Sequence, residues 1–120
     1  MEEVGAKSAC QVLLVTTAAA PRPPARIQVT ADEFRLTLSR GSIAGGPAVI
    51  ELLNLGEDDH DLALRRMAKG GARTLRLPVI TPGSLGELEA RLWPGCYRLW
   101  RSVADHRARG MQATLVVRSR

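Results

Sequence analysis

The sequence predicts an all-β fold, a Greek-key β-sandwich or barrel of about seven to eight strands. Three observations lead to this class. Short segments alternate apolar and polar residues at the two-residue period of a strand. Turn-forming clusters rich in Gly, Pro, Asn and Ser separate these segments at regular intervals. No segment carries the apolar repeat of a long amphipathic helix. The 120 residues are enough for one domain.

The N-terminal residues 1–24 differ in composition from residues 25–120, which form the predicted β domain. They contain the apolar stretch VLLVTTAAA followed by the proline-rich PRPP. One interpretation is a degenerate export signal, although Glu2 and Glu3 stand where such a signal is positively charged. The other is a tail, or an edge strand followed by an extended linker. The first interpretation predicts a protein exported to the periplasm or the cell envelope.

The predicted strands begin at Arg26. The first ones are RIQVT, FRLTLS and AVIELLNLG, and the intervening GSIAGGP is predicted as a turn. In FRLTLS, Phe34, Leu36 and Leu38 share one face, as alternation requires. HDLALRR and RTLRLPVI follow as strands, and TPGS then turns the chain.

The last third of the chain contains one ambiguous segment and two strands. LGELEARL fits either a short helix or a strand. In CYRLWRSV, alternation puts four side chains on one face, and QATLVVRS is the final strand. The four are Tyr97, Leu99, Arg101 and Val103.

Charge divides the chain into two unequal halves. Residues 1–64 hold five basic and nine acidic residues, net −4, whereas residues 65–120 hold twelve and three, net +9. The basic half is either a solvated face or a surface for an acidic redox or envelope protein. Aromatic residues make up only 3%, so a base-stacking nucleic-acid platform is not expected. No apolar run approaches the length of a transmembrane span. The protein is expected to be a monomer.

Three residues are candidate metal ligands: His60, His106 and Met111. Taken singly, each histidine lies at a strand edge or loop outside the apolar alternation and is more often a surface residue. A lone methionine is more often part of the core. Two histidines, a cysteine and a weakly bound axial methionine are the ligand set of blue copper sites, with three ligands from one loop and one from a distant strand. The only cysteines are Cys10 and Cys96, which form no metal motif and allow one disulfide bond.

Residues 26–118 resemble the cupredoxins, the small blue copper proteins. VIELLNLGEDDHDLAL is similar to the family segment in which an Asn precedes a Gly-containing turn and the first histidine ligand. The resemblance assigns that ligand to His60 and a loop-bracing role to Asn54. LWPGCYRLWRSVADHRARGMQATLVV is similar to the closing segment of the family. It assigns the second histidine to His106 and the axial methionine to Met111, and it implies copper as cofactor.

Arg101 occupies the position of the family's cysteine ligand. Cys96 lies five residues earlier, so on a strand it points to the opposite face. A guanidinium is always protonated, and its charge opposes the binding of Cu²⁺ nearby. If it is buried, Arg101 needs a partner, and Asp58, Asp59, Asp61 and Asp105 are candidates.

The sequence is compatible with two functions. One is a cupredoxin-like protein with a His60, His106 and Met111 copper site that lacks the thiolate, which argues against electron transfer. The other is a metal-free cupredoxin-fold module that binds an acidic partner through its basic C-terminal half. An enzyme is not predicted, because no nucleophile set, phosphate-binding glycine loop or HExxH motif is present.

Overall fold

The structure is a computed structural model that describes residues 23–33, 35–68, 72–101 and 111–119. These residues form nine strands in two sheets. The strands are β1 (Ala25–Asp32), β2 (Arg35–Leu38), β3 (Ser42–Ala44), β4 (Gly46–Asn54), β5 (His60–Arg66), β6 (Thr74–Ile80), β7 (Leu85–Leu92), β8 (Gly95–Trp100) and β9 (Gln112–Arg118).

The two sheets have mixed strand directions. The four-stranded sheet has the order β2-β1-β4-β7, and the five-stranded sheet has the order β3-β9-β8-β5-β6. Two pairs are parallel, β1 with β4 and β3 with β9, and the other pairs are antiparallel. Because the inner faces of both sheets contribute to one buried cluster, the layers form a sandwich. The predicted all-β class is therefore confirmed.

The core lies between the sheets and follows the alternation seen in the sequence. In β1 the inward residues Ile27 and Val29 are buried, and in β5 Leu62 and Leu64 have no exposed surface. In β8 Leu99 points inward as predicted. Leu36 and Tyr97 belong to the same cluster. Two residues predicted for these faces, Phe34 and Val103, lie outside the described residues.

Two segments are strands where the sequence was misleading or ambiguous. GSIAGGP was predicted as a turn, but it contains β3, whose Ile43 is buried opposite Val117 of β9. The prediction was wrong because a three-residue strand between glycines has too short an alternation to detect. LGELEARL is β7, with Leu88 and Ala90 packed on the core. The described residues thus contain nine strands, where seven to eight were expected.

The predicted TPGS turn connects β6 in one sheet with β7 in the other. The amide of Ser84 donates to the carbonyl of Thr81 over 3.0 Å. Pro82 takes the second position, and Gly83 takes the third with φ of +80°, as a type II turn requires. Among the described residues, no helix has the length and apolar character needed to cross a membrane.

Candidate metal centre

Four residues singled out from the sequence lie at one end of the sandwich, called here the site end. Asn54 ends β4, His60 begins β5, Arg101 follows β8 and Met111 precedes β9. In the five-stranded sheet Trp100 lies opposite both Ala63 of β5 and Gln112 of β9. This register brings the start of β5, the end of β8 and the start of β9 together. The remaining predicted ligand, His106, lies outside the described residues.

His60 is fully buried, with 0% of its surface exposed. The expectation that it stands outside the apolar alternation was wrong, because it is in phase with the buried Leu62 and Leu64. Its Nδ1 lies 2.8 Å from the carbonyl oxygen of Asp58. Since a carbonyl can only accept, Nδ1 carries the proton and donates. In the neutral imidazole Nε2 then presents a lone pair, and Nε2 is buried without a hydrogen-bond partner among the described residues.

Asn54 holds the loop before His60 in place, as the resemblance implied. Its Nδ2 donates to the carbonyls of Asp58, over 2.8 Å, and of Ile80, over 2.7 Å. Its Oδ1 accepts from the amide of Gly56 over 2.8 Å. The carbonyl of Asp58 thus accepts hydrogen bonds from both Asn54 and His60. Asn54 holds this carbonyl in place, and the carbonyl in turn orients the imidazole of His60.

Gly56 allows the loop to pass close to His60. A Cβ at this position would lie 2.8 Å from the Cε1 atom of His60 and 2.8 Å from a carboxylate oxygen of Glu33. Glu33 in turn accepts from the amide of Glu57 over 2.9 Å. Glu33 could not be identified from the sequence, since nothing in its local pattern links it to a loop more than twenty residues away.

Arg101 is buried at the site end, with 4% of its surface exposed. Its Nη2 donates to the carbonyl of Asp59 over 2.8 Å, and its amide donates to the carbonyl of Met111 over 3.2 Å. Asp59, one of the predicted partners, is therefore contacted through its main chain. The candidate Asp105 lies outside the described residues. The guanidinium links the end of β8 to the loop that carries His60.

Cys96 lies on the face of β8 opposite to the inward Tyr97 and Leu99, as predicted. It is 8% exposed and disulfide-bonded. A disulfide sulfur is not a thiolate, so Cys96 is not a substitute for the missing copper ligand. The other cysteine of the chain, Cys10, lies outside the described residues.

The donors at the site end fit a copper ion only in part. Within the described ranges, no group of three or more His, Cys, Asp or Glu side chains is arranged to hold a metal. The imidazole Nε2 of His60 and the thioether of Met111, which is fully buried, are suitable donors for copper. Arg101 brings a positive charge where the thiolate of a blue site would bring a negative one.

The comparisons with known proteins extend the structural description. No protein-family model matches the chain, and no curated protein matches it in sequence. Among solved structures it is similar to auracyanin B, with 18% identity, a TM-score of 0.63, and coverage of 82% of this chain and 92% of that one. Auracyanin A from Chloroflexus aurantiacus, described as a "blue" copper protein, has 17% identity, a TM-score of 0.62 and coverage of 79% and 99%.

A third solved structure, amicyanin from Paracoccus versutus, has 14% identity, a TM-score of 0.53 and coverage of 82% of this chain and 84% of that one. All three are cupredoxins, and the match extends over most of each chain. Similarity at these identities establishes the architecture alone. The fold of this chain is that of the cupredoxins.

Proposed function

We propose that this protein is a cupredoxin-fold copper-binding protein whose site uses two imidazoles and a thioether and has no thiolate. His60, His106 and Met111 are the proposed ligands. The observation that carries the proposal is the buried Nε2 of His60, which has no hydrogen-bond partner among the described residues. A buried nitrogen lone pair left without a partner costs about 1–3 kcal/mol, and a metal ion would satisfy it.

The surroundings of His60 are typical of a metal ligand. Metal-binding histidines usually donate their second ring N–H to a carbonyl or carboxylate, which fixes the tautomer and the ring orientation. In this chain Nδ1 donates to Asp58, and Asn54 holds the same carbonyl. The lone pair of Nε2 is thus orientated before any metal binds.

Arg101 favours monovalent over divalent copper. The repulsion between the guanidinium and the ion is proportional to the charge of the ion, so Cu⁺ is repelled half as strongly as Cu²⁺. The thioether of Met111 adds to this preference because soft sulfur ligands select Cu(I). Without a thiolate the site lacks the ligand on which blue electron-transfer centres depend, so we do not propose an electron-carrier role.

Export to an oxidising compartment, the periplasm or cell envelope, is part of the proposal. Disulfide bonds persist in such compartments and are rare in the cytosol, and Cys96 is disulfide-bonded. An acidic protein of the envelope is the proposed partner, in keeping with the excess of arginine in residues 65–120.

The test is an anaerobic Cu(I) titration in competition with a chromophoric chelator. Wild-type protein is compared with Met111→Leu, which removes the sulfur and approximately conserves the volume. The matched control is Met67→Leu, because Met67 is 46% exposed and lies beyond the opposite end of β5. We expect Met111→Leu to bind Cu(I) at least tenfold more weakly and Met67→Leu to match wild type. Equal affinity in all three proteins would contradict a site at Met111.

A second candidate is the metal-free binding module, favoured by the buried position of Arg101. Its guanidinium links the end of β8 to the loop before His60, so these two segments are held together without a metal. In this case the arginine-rich sheet would bind an acidic protein directly. Wild-type protein that takes up no Cu(I) in the same titration would favour this candidate.

A further inference from the structure

A pocket of about 560 Å³ lies on the outer face of the five-stranded sheet, on the opposite side from the core. We call it the outer pocket. Its volume is within the range of sites for small organic ligands, about 300–1,000 Å³. It is lined by Arg65, Arg66, Met67, Ala68, Arg98, Trp100 and Gln112.

Two arginines in the outer pocket face each other across neighbouring strands. Arg65 of β5 lies directly opposite Arg98 of β8, and like charges in this position are destabilising. Both side chains are exposed, and no ion pair between described residues joins either to a carboxylate. None of the lining residues is acidic. The pair is an unfavourable arrangement for the isolated sheet and a favourable one for an anion between the two guanidinium groups.

The strands around the outer pocket concentrate positive charge. The five strands of this sheet carry five arginines and one acidic residue, net +4, whereas the four strands of the other sheet carry three arginines and four acidic residues, net −1. Within the described strands, the five-stranded sheet is therefore the more basic of the two sheets. Arg66 is held at the pocket edge, where its Nε donates to the carbonyl of Pro94 over 3.0 Å.

The outer pocket also offers apolar surface beside the charges. Trp100 lies two residues from Arg98 on the same face of β8 and is half-buried, and Met67 is 46% exposed. An indole favours offset stacking with a planar ring. Guanidinium groups bind carboxylates and phosphates with two parallel hydrogen bonds. The two kinds of surface together suit a ligand that has an anionic group on an aromatic ring.

We propose that the outer pocket binds a small aromatic oxyanion, a ring that bears a carboxylate or phosphate group. The anionic group lies between Arg65 and Arg98, and the ring lies against Trp100. The outer pocket is separate from His60 and Met111, which are buried on the inner side of the sheet, so either proposal can fail without the other.

The experiment uses the full-length chain with Trp93→Phe, which leaves Trp100 as its only tryptophan. Trp93 is 58% exposed, so we expect the replacement to change stability little. Phenyl phosphate and benzoate are titrated by tryptophan fluorescence and calorimetry, with inorganic phosphate and benzyl alcohol as the charge-only and ring-only probes. We expect at least one aromatic anion to bind with a dissociation constant of about 1 mM or tighter, and both partial probes to bind at least tenfold more weakly. The stronger of the two aromatic anions identifies the anionic group.

Single-charge variants then test the position of the ligand. Arg65→Gln and Arg98→Gln should each weaken binding at least tenfold, whereas Arg35→Gln, an exposed residue of the other sheet, should leave it unchanged. Absence of binding, equal binding of inorganic phosphate, or equal loss in Arg35→Gln would overturn the proposal. Two results would assign another occupant and also overturn it. One is tighter binding of poly-glutamate than of either aromatic anion. The other is a tenfold gain for the aromatic anions in Glu2→Gln/Glu3→Gln, which would indicate the chain's own N-terminal segment.

Discussion

Replacement of Arg101 by cysteine tests the interpretation of the site end most directly. The substitution removes a buried cation and introduces a thiol that is separated from His106 by four residues, which is the spacing of the family pattern. It also removes the hydrogen bond from Nη2 to the carbonyl of Asp59. The matched control is Arg101→Ser, which makes the same changes in charge and size and supplies no sulfur.

Both variants should be less stable than wild type in the absence of metal. A hydrogen bond that involves a charged group contributes about 1.5–3 kcal/mol. The side chain of Arg101 is 4% exposed, so the smaller residue also leaves a space that adds to the loss. We expect the free energy of unfolding to fall by about 2–4 kcal/mol in both variants. Its linear dependence on urea concentration should have the same slope as in wild type.

Copper affinity should rise in both variants and colour should appear in one. For Cu⁺ at about 4 Å from the guanidinium, with an effective dielectric constant of about 20, the repulsion is about 4 kcal/mol, which corresponds to roughly a thousandfold in affinity. Arg101→Ser should therefore bind copper more tightly than wild type, by up to this factor, and stay colourless. Arg101→Cys should bind most tightly and show the intense charge-transfer band of a copper–thiolate bond, at about 600 nm in the family it resembles.

The assays are calorimetric copper titration and visible absorption of the loaded proteins. If Arg101→Cys binds copper no more tightly than wild type and remains colourless, the site end differs from a blue copper site in more than residue 101. Blue wild-type protein would contradict the assignment of Cys96 to the outer face of β8.

Three further substitutions test the framework around the site end and the outer pocket. Asn54→Ala removes three side-chain hydrogen bonds and should lower the unfolding free energy by about 3 kcal/mol, at about 1 kcal/mol each. The control is Gln28→Ala, at a half-buried position of β1, and an equal or smaller loss in Asn54→Ala would contradict the bracing role. Gly56→Ala should cost about 1–3 kcal/mol by overpacking against His60, whereas Gly41→Ala, where a Cβ meets nothing within 4 Å, should change stability little. Arg98→Thr should stabilise the protein by about 0.2–1 kcal/mol because it removes the like-charge pair with Arg65. If Arg35→Thr gives the same gain in urea unfolding, strand propensity explains the effect.

The fold could be predicted in large part from the sequence because strand alternation is a local signal. The faces of β5 and β8 followed directly from the spacing of Leu62, Leu64, Tyr97 and Leu99, and TPGS has the residue types that its turn geometry requires. β3 could not be predicted, since its three residues are stabilised by pairing with β9, more than seventy positions away.

The site end was only partly predictable. The family resemblance drew attention to Asn54, His60 and Arg101, and the inward orientation of Arg101 followed from alternation. The tautomer of His60 depends on the carbonyl of Asp58, and the contact of Glu33 depends on how β1 ends beside the loop. Both are main-chain contacts in three dimensions, so no pattern of residue types could reveal them.

Arg101 explains how this end of the sandwich can be ordered without a metal. A metal bound by residues from β5 and from the segments after β8 and before β9 would connect these segments to one another. The side chain of Arg101 makes one of these connections, through Nη2 to Asp59, and the main-chain amide of the same residue makes another, to Met111. The hydrogen-bonded arrangement of Asn54, Asp58 and His60 therefore does not by itself indicate a copper site. The feature that indicates a copper site is the buried Nε2 of His60. Arg101 does not donate a hydrogen bond to this nitrogen, and a soft cation would satisfy its lone pair.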